Sequence, residues 1–449
     1  MRSRTSLVST VALITLLLPF GRPALLSAAP PPPEPALLPQ APAPRPEGQL
    51  TLERALESAL RGNPQLAAAA WEVRAVEARK EQAGLRPNPE LGLEVENAGG
   101  GALAQDGRQS TVSLTWPFEL GGKRTARLRL AGAERDLAAW DRETRRADLV
   151  AEVRKAFAVA LGAQVQASLA AENVKLAARA LEAVSRQVQA GSVSPTERIR
   201  AEVASAEAEV ERDRALSQLA GARVLLARTW GASEAAFECV TGTLELELEP
   251  PDLTSLTRRI AGNPDLARWE SELEQRRAGL DIQRSAARQD LGLTAGLRRL
   301  SPEGATDDTL VLGLTMPLPL RNRNQGAIRE ARTRLSQVEI ERSAAFNRTG
   351  SLLAAAHRDL SAAAAQAKAY RTRILPGARA AFEALDTGYR AGRFGFLDLL
   401  DTQRSLGQAR LKYATALVEL HLAVAEVERL IGEPLETGRA KSLSPEVRP

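Results

Sequence analysis

The chain has 449 residues, a formal net charge of +5, 26% charged residues and only 4% aromatic ones. So few aromatic side chains exclude the two or three large, aromatic-rich globular cores that this length would otherwise suggest, and favour long helices or layered assemblies. One cysteine, Cys239, and two histidines, His357 and His421, exclude an intramolecular disulfide framework and leave almost nothing for a zinc site.

Residues 1–29 carry Arg2 and Arg4, an apolar run from Val8 to Leu18, and the small residues Ser27-Ala28-Ala29. This is the pattern of a secretory signal peptide. A membrane anchor is the alternative, but the run of about 11 residues falls short of the roughly 20 that span a bilayer. Its removal takes away three arginines and no acids, lowering the charge from +5 to +2, so the basic balance implies no nucleic-acid partner. No cysteine lies near the cleavage region to carry a lipid. Residues 30–49 form a Pro-rich tether, with nine of the 26 prolines between Pro30 and Pro46. Beyond it no apolar run approaches 18 residues, which excludes an inner-membrane helical protein.

The rest of the chain repeats itself. Gly62-Asn63-Pro64 recurs as Gly262-Asn263-Pro264, Leu91-Gly92-Leu93 as Leu291-Gly292-Leu293, and Leu114-Thr115-Trp116-Pro117 as Leu314-Thr315-Met316-Pro317, all at an offset of 200. Ala190-Gly191 and Gly231 recur as Ala391-Gly392 and Gly432, at an offset of 201. Two copies of one unit, residues 50–249 and 250–435, followed by a C-terminal tail at 436–449, account for these landmarks.

Each unit starts with a short helix, about 51–61 or 252–261, that stops at Gly-Asn-Pro; a second helix runs on to Arg86 or Arg288. The period then changes from 3.6 to 2. Leu91, Leu93 and Val95, then Val112, Leu114 and Trp116, alternate with small or polar residues, and so do Leu291 to Leu297 and Leu310 to Met316. Loops rich in Gly and Asp, 98–109 and 300–308, make each pair a hairpin. A helical pattern without breakers follows from about Lys123 to Ala190, and from about Arg323 to Ala391 with only Pro376 inside. At 1.5 Å per residue such helices are roughly 100 Å long. Return helices run from the turns at Gly191 and Gly392 to Gly231 and Gly432, so the helices must pack along one another as antiparallel hairpins. The segment around Cys239 and the alternating Leu244-Glu245-Leu246-Glu247-Leu248 reads as a small extra domain wrapping the helices at mid-height.

Four strands with one apolar face each suit a bilayer crossing, where only a closed barrel satisfies every backbone group. Four are too few to close, so several chains must pool them. The alternative is a small soluble sheet capping a helical bundle. The export signal, the absence of helical anchors and the length of the helices favour the barrel.

From about Leu50 to Pro434 the chain resembles the TolC-like outer membrane efflux proteins, which are duplicated, with two strands and two long helices per half, and trimeric. Pro117-Phe118-Glu119-Leu120-Gly121-Gly122-Lys123-Arg124, and Pro317 to Gly326, are similar to the strand-to-helix junctions of the heavy-metal branch, the cobalt-zinc-cadmium resistance type. The resemblance implies a mainly α fold with a small β part: long α-helical hairpins forming an α-barrel, and four transmembrane β-strands per chain contributing to a trimeric 12-stranded β-barrel. In that family Tyr-x-x-Gly followed by Asp-x-x-Asp marks the tip of the second hairpin, here Tyr389 to Gly392 and then Asp398 to Asp401. The resemblance makes Tyr389, Asp398 and Asp401 gate residues, with the two carboxylates one helical turn apart in an acidic ring. Phe394 stands where the family has a gate arginine, with Arg393 beside it. The tips, Gly191, Ser192, Gly392 and Arg393, become adaptor-docking candidates, although turn chemistry alone also accounts for them. The implied partners are two further copies of the chain, outer membrane lipid, a periplasmic adaptor and an inner-membrane pump of the resistance-nodulation-division type.

No G-x-x-x-x-G-K-[ST] loop, H-E-x-x-H or G-x-S-x-G is present. No cofactor, resident metal or catalytic residue is therefore expected. The function these features imply is a passive outer membrane duct for heavy-metal cations, the helices standing in the periplasm. The rivals are the same channel exporting drugs or other small molecules, and a secreted coiled-coil scaffold.

Overall fold

A computed structural model describes residues 46–97, 108–301, 307–391 and 393–435. The signal segment, most of the Pro-rich tether, the hairpin-loop residues 98–107 and 302–306, Gly392 and the C-terminal tail lie outside the described residues.

In chain order the elements are β1 (Gly48–Leu50), α1 (Leu52–Gly62), α2 (Pro64–Ala83), β2 (Glu90–Glu96), β3 (Arg108–Phe118), α3 (Lys123–Gln189), α4 (Pro195–Arg228), β4 (Phe237–Val240), α5 (Leu253–Arg259), a single 3₁₀ turn (Ile260–Gly262), α6 (Pro264–Ala286), β5 (Leu291–Ser301), β6 (Asp307–Thr315), α7 (Gln325–Ala369), a π turn (Tyr370–Ile374), α8 (Leu375–Arg390) and α9 (Phe396–Ile431). α3, with 67 residues, is about 100 Å long. It packs along α4, α6, α2 and α9, while α7 packs along α9 and α6. Close approach of these helices depends on small residues. A Cβ added to Gly162 of α3 would lie 2.3 Å from Val418 of α9.

Gly-Asn-Pro is a knot. Asn63 caps α2 by accepting the Leu66 N–H (2.9 Å), and its amide donates to Thr229 O at the end of α4 (2.9 Å). Asn263 accepts the Asp265 N–H (2.7 Å) and donates to Leu430 O near the end of α9 (2.8 Å). Gly231 and Gly432 turn the chain away at φ +82° and +77°. There is no room for a side chain at the second, where an added Cβ would meet Gly262 O at 2.7 Å. Beside these knots Leu50, Leu226, Trp230, Phe237, Leu256 and Ile431 form the most deeply buried part of the core.

Two expectations need correcting. α2 and α6 stop at Ala83 and Ala286, short of Arg86 and Arg288. Gly84 closes α2 with its N–H on Glu81 O (3.0 Å), and extended chain runs from there through Pro87. Gly48–Leu50, expected at the end of the tether, is a strand paired in parallel with Phe237–Val240. Local pattern does not reveal a three-residue strand whose partner is so distant in sequence. Leu244 to Leu248 alternates but forms no strand. It lies as an extended strap across the helices, held by His421 Nε2 at 3.1 Å from Leu244 O, by the Tyr413 hydroxyl donating to Glu245 (2.6 Å), by Arg371 on Glu247 and by His357 Nε2 at 2.9 Å from Pro251 O.

The second long helix is broken at Tyr370–Ile374, where the first is continuous. Buried Val153, Ala160 and Ala167 stand 200 residues before buried Leu353, Leu360 and Ala367. The tip bonds Ser192 N–H to Gln187 O (2.9 Å) and Arg393 N–H to Gly388 O (2.8 Å) are 201 apart. The extra residue falls between 367 and 388, and a π turn is the form in which a helix absorbs one.

Burial depresses the basicity of the His421 imidazole. A depressed folded-state value means that the unfolded chain takes up the proton first. The stability contributed by neutral His421 is therefore complete above the ordinary value of about 6.5 and is lost as pH falls below it. His421→Gln keeps an N–H for Leu244 O without titrating. Its thermal midpoint should fall less than the wild type's between about pH 7 and pH 5, and equal falls would remove His421 from the acid response.

Candidate functional site

Two regions bear on function, the four-stranded sheet and the hairpin tips. The sheet order is β2-β3-β5-β6, antiparallel throughout, leaving β2 and β6 as edges. Residues opposite one another share a face. One row is Leu93, Val112, Leu297 and Leu310; the next is Leu91, Leu114, Ala295 and Leu312. The other face carries Glu94, Thr111, Arg298 and Thr309 in one row, and Glu90, Thr115, Thr294 and Gly313 in another. Cross-strand bonds tie it: Thr115 to Thr294 (2.9 Å) and Arg298 to Thr111 (3.1 Å).

The polarity of the two faces is inverted from that of a sheet on a water-bathed core. Leu91, Leu93, Leu312 and Leu314 are 70%, 75%, 72% and 69% exposed. Among the described residues no element covers this face. The polar face is the crowded one. A Cβ on Gly296 would lie 2.6 Å from Val112 O, and one on Gly92 would lie 2.8 Å from Ser113 Oγ. Glycines at such positions let strands coil toward that side.

The junction motifs clamp the sheet to the helices. Glu119 pairs with Arg127, whose guanidinium also donates to Leu85 O (3.2 Å). Lys123 pairs with Asp290 (2.7 Å), which also accepts the Leu120 N–H (3.1 Å). Gly121 and Gly122 have φ of +74° and +75°, and an added Cβ at Gly121 would strike Arg288. In the second junction left-handed Asn324 donates to Gln283 O (2.8 Å). These residues hold backbone in place.

At the other end of the helices, Gly191 turns the first tip at φ +71°. Ser194 caps α4 and Pro195 opens it. Gly191, Ser192 and Arg393 are exposed, and Gly392 lies outside the described residues. The Tyr389 hydroxyl donates to Gln187 Oε1 (3.0 Å) across the two hairpins. Its ring packs with Val188, Val193 and Leu400 on buried Val184 and Ala201. Asp398 and Asp401 are exposed, one turn apart on α9, and Asp398 accepts the Gly395 N–H (3.1 Å) as a cap. Sequence reasoning missed Gln187 and Gly388. An added Cβ on Gly388 would lie 2.3 Å from the Phe394 ring, so Phe394 folds back onto its own hairpin.

Among the described residues no group of three or more His, Cys, Asp or Glu is placed to hold a metal ion, and no helix is long and apolar enough to cross a membrane.

The profile of the outer membrane efflux proteins matches residues 55–232 and again residues 256–433. This chain belongs to that family. It is 36% identical to the cobalt-zinc-cadmium resistance protein CzcC of Cupriavidus metallidurans over 386 residues, 86% of this chain and 90% of that protein. It is 29% identical to the nickel-cobalt-cadmium resistance protein NccC of Alcaligenes xylosoxydans xylosoxydans, covering 67% and 69%. The fold matches crystalline CusC, described as forming a transmembrane channel, with a TM-score of 0.71 at 17% identity, over 85% of this chain and 92% of that one. The family is one of channels and its metal-resistance relatives place this chain among the TolC-like heavy-metal efflux proteins.

Gly388→Ala should expel the Phe394 ring and loosen the tip without unfolding the helices. Amide exchange of residues 388–396 should then speed up while that of the knots at Asn63 and Asn263 stays unchanged. Unchanged exchange at the tip would separate Phe394 from tip order.

Proposed function

We propose that this protein is the outer membrane exit duct of a tripartite efflux system, working as a homotrimer and carrying heavy-metal cations. The observation that carries the reading is the sheet: an uncovered apolar face, a polar face on the coiled side and two unpaired edges. In lipid those edges must be paired, and barrels close from about eight strands upward. Three chains with four strands each give twelve. The apolar face then meets outer membrane lipid, the polar face lines the lumen, and the helices extend the duct into the periplasm.

Residues 1–29 leave as the signal peptide, and 50–249 and 250–435 act as two copies of one efflux repeat; two separate profile matches support the division. The tips meet a periplasmic adaptor through Gly191, Ser192, Gly392 and Arg393, and a resistance-nodulation-division pump in the inner membrane supplies the energy. The duct catalyses nothing. Cobalt, zinc, cadmium and nickel as cargo rest on what the names of the two relatives state. Tyr389 helps hold the tips together, while three copies of Asp398 and Asp401 set a negative potential at the opening that favours cations.

Purified protein should run as a trimer resistant to sodium dodecyl sulfate and conduct in planar bilayers; a monomer without conductance overturns the reading. Loss of the gene should lower tolerance to zinc, cobalt or cadmium, and unchanged tolerance would remove the metal cargo. For the gate, Asp398→Asn keeps an oxygen for Gly395 N–H, so it removes charge without removing the cap. Combined with Asp401→Asn it should shift the reversal potential in a salt gradient toward zero. An unmoved reversal potential would clear both carboxylates of a role in selectivity.

A further inference from the structure

The break in the second long helix and the strap across it lie at the same place. Through the π turn the Leu375 N–H donates to Tyr370 O, five residues back. Pro376 follows and offers no N–H to the turn before it. Two adjacent weaknesses in one hydrogen-bond ladder are where a helix bends most easily. The strap grips the helix before that point and at it, and the return helix beside it: His357 belongs to α7, Arg371 to the π turn itself, and Tyr413 and His421 to α9.

The four grips differ in kind. His421 and His357 are both half-buried, each on a backbone carbonyl. Glu247 and Arg371 are a solvent-facing pair, with side chains 74% and 39% exposed, and such pairs open and re-form at small cost. Leu246 and Leu248 of the strap and Ala364 and Leu417 of the helices line a groove of about 930 Å³. The same leucines pack against the helical core, so apolar contacts seat the strap alongside the polar grips. At the far end of α8 the tip is held to α3 by the Tyr389–Gln187 bond and a small apolar cluster. α8 has 16 residues, so a tilt of about 10° at the π turn moves its end by roughly 4 Å.

We propose that the π turn is a hinge for α8, and that the strap Leu244–Pro251 is its latch: the histidines anchor the strap, and the Glu245–Tyr413 and Glu247–Arg371 links set how far the helix bends. The consequence for conduction rests on the channel reading. The hinge and latch themselves do not.

The test uses the full-length protein purified from outer membranes. Glu245→Ala with Glu247→Ala removes both acceptors and releases the latch; Pro376→Ala returns an N–H to the ladder and stiffens the hinge. Amide exchange over residues 369–377 should rise by at least about tenfold in the first and fall in the second. Spin labels on Ser192→Cys and Arg393→Cys, in a Cys239→Ser background, should show a longer and broader tip-to-tip distance in the first and a narrower one in the second. The charge swap Glu247→Arg with Arg371→Glu should restore the wild-type distance and exchange, which a generally destabilised chain would not do. Exchange and distances unmoved in both variants, or a swap that fails to restore them, overturn the latch. Bilayer recordings of the same samples separate the two readings. If wild-type protein does not conduct, the channel reading fails while the exchange and distance results still decide the hinge. If it conducts, the released latch should raise open probability, and an unchanged open probability overturns the latch as a control on the duct.

Discussion

The fold depends on two asparagines that each serve two helices. Asn63 and Asn263 cap one helix with an oxygen and hold the end of another with the amide nitrogen of the same side chain. A helix 100 Å long has little to fix its position along a partner, because every turn offers a similar ridge and groove. The knots remove that freedom. Once α4 ends against the start of α2, and α9 against the start of α6, the register of each hairpin is set from one end. The glycines at 231 and 432 are there because the chain passes too near the Gly-Asn-Pro backbone for a side chain.

From that fixed end the constraints on the two extremities differ. The sheet has strong internal order, with every strand paired in unbroken antiparallel register and its junctions clamped by Glu119, Lys123 and Asp290. Its incompleteness lies outside itself, in two edges and an apolar face that none of the described residues covers. Among the described residues the two tips are joined by the Tyr389–Gln187 hydrogen bond and a small apolar cluster on Val184 and Ala201. The sheet leaves edges that other strands can complete, whereas the tips close on contacts within one chain.

How much of this was legible depended on distance along the chain. Long helices, hairpins and the turns at Gly191 and Gly231 follow local rules, and local reading located them to within a few residues. The knots were visible only as a recurring Gly-Asn-Pro. That Asn63 also reaches Thr229 is a contact across 166 residues, and nothing in a single sequence announces it. β1 and β4 were missed for the same reason, whereas the segment from Leu244 to Leu248, read as wrapping the helices, does lie across them with its leucines packed on them. The π turn left a trace, the slip from 200 to 201, whose place only the buried positions on either side could fix. At the tips, the resemblance pointed to Tyr389 and the two aspartates, which the fold places beside the second turn. Gln187 was not, because a hydrogen-bonding partner on the other hairpin follows no spacing rule.

The chain's few metal-ligating side chains bear on how a cation would pass. Both histidines are engaged on backbone carbonyls of the strap, and Cys239 sits in β4. Of the two methionines, Met1 belongs to the signal segment and Met316 stands at the end of the sheet. On the proposed reading, a cation passing through a duct of this composition would keep its water shell and meet carboxylates and backbone, whose attraction depends on charge far more than on the identity of the metal. Exposed charges act over about a Debye length, roughly 8 Å at physiological salt. Such attraction sorts cations from anions at a narrow opening and distinguishes poorly between zinc and cobalt. On the proposed reading, discrimination among metals belongs upstream, to whatever loads the duct, and this chain contributes a path of exit and a bias of charge.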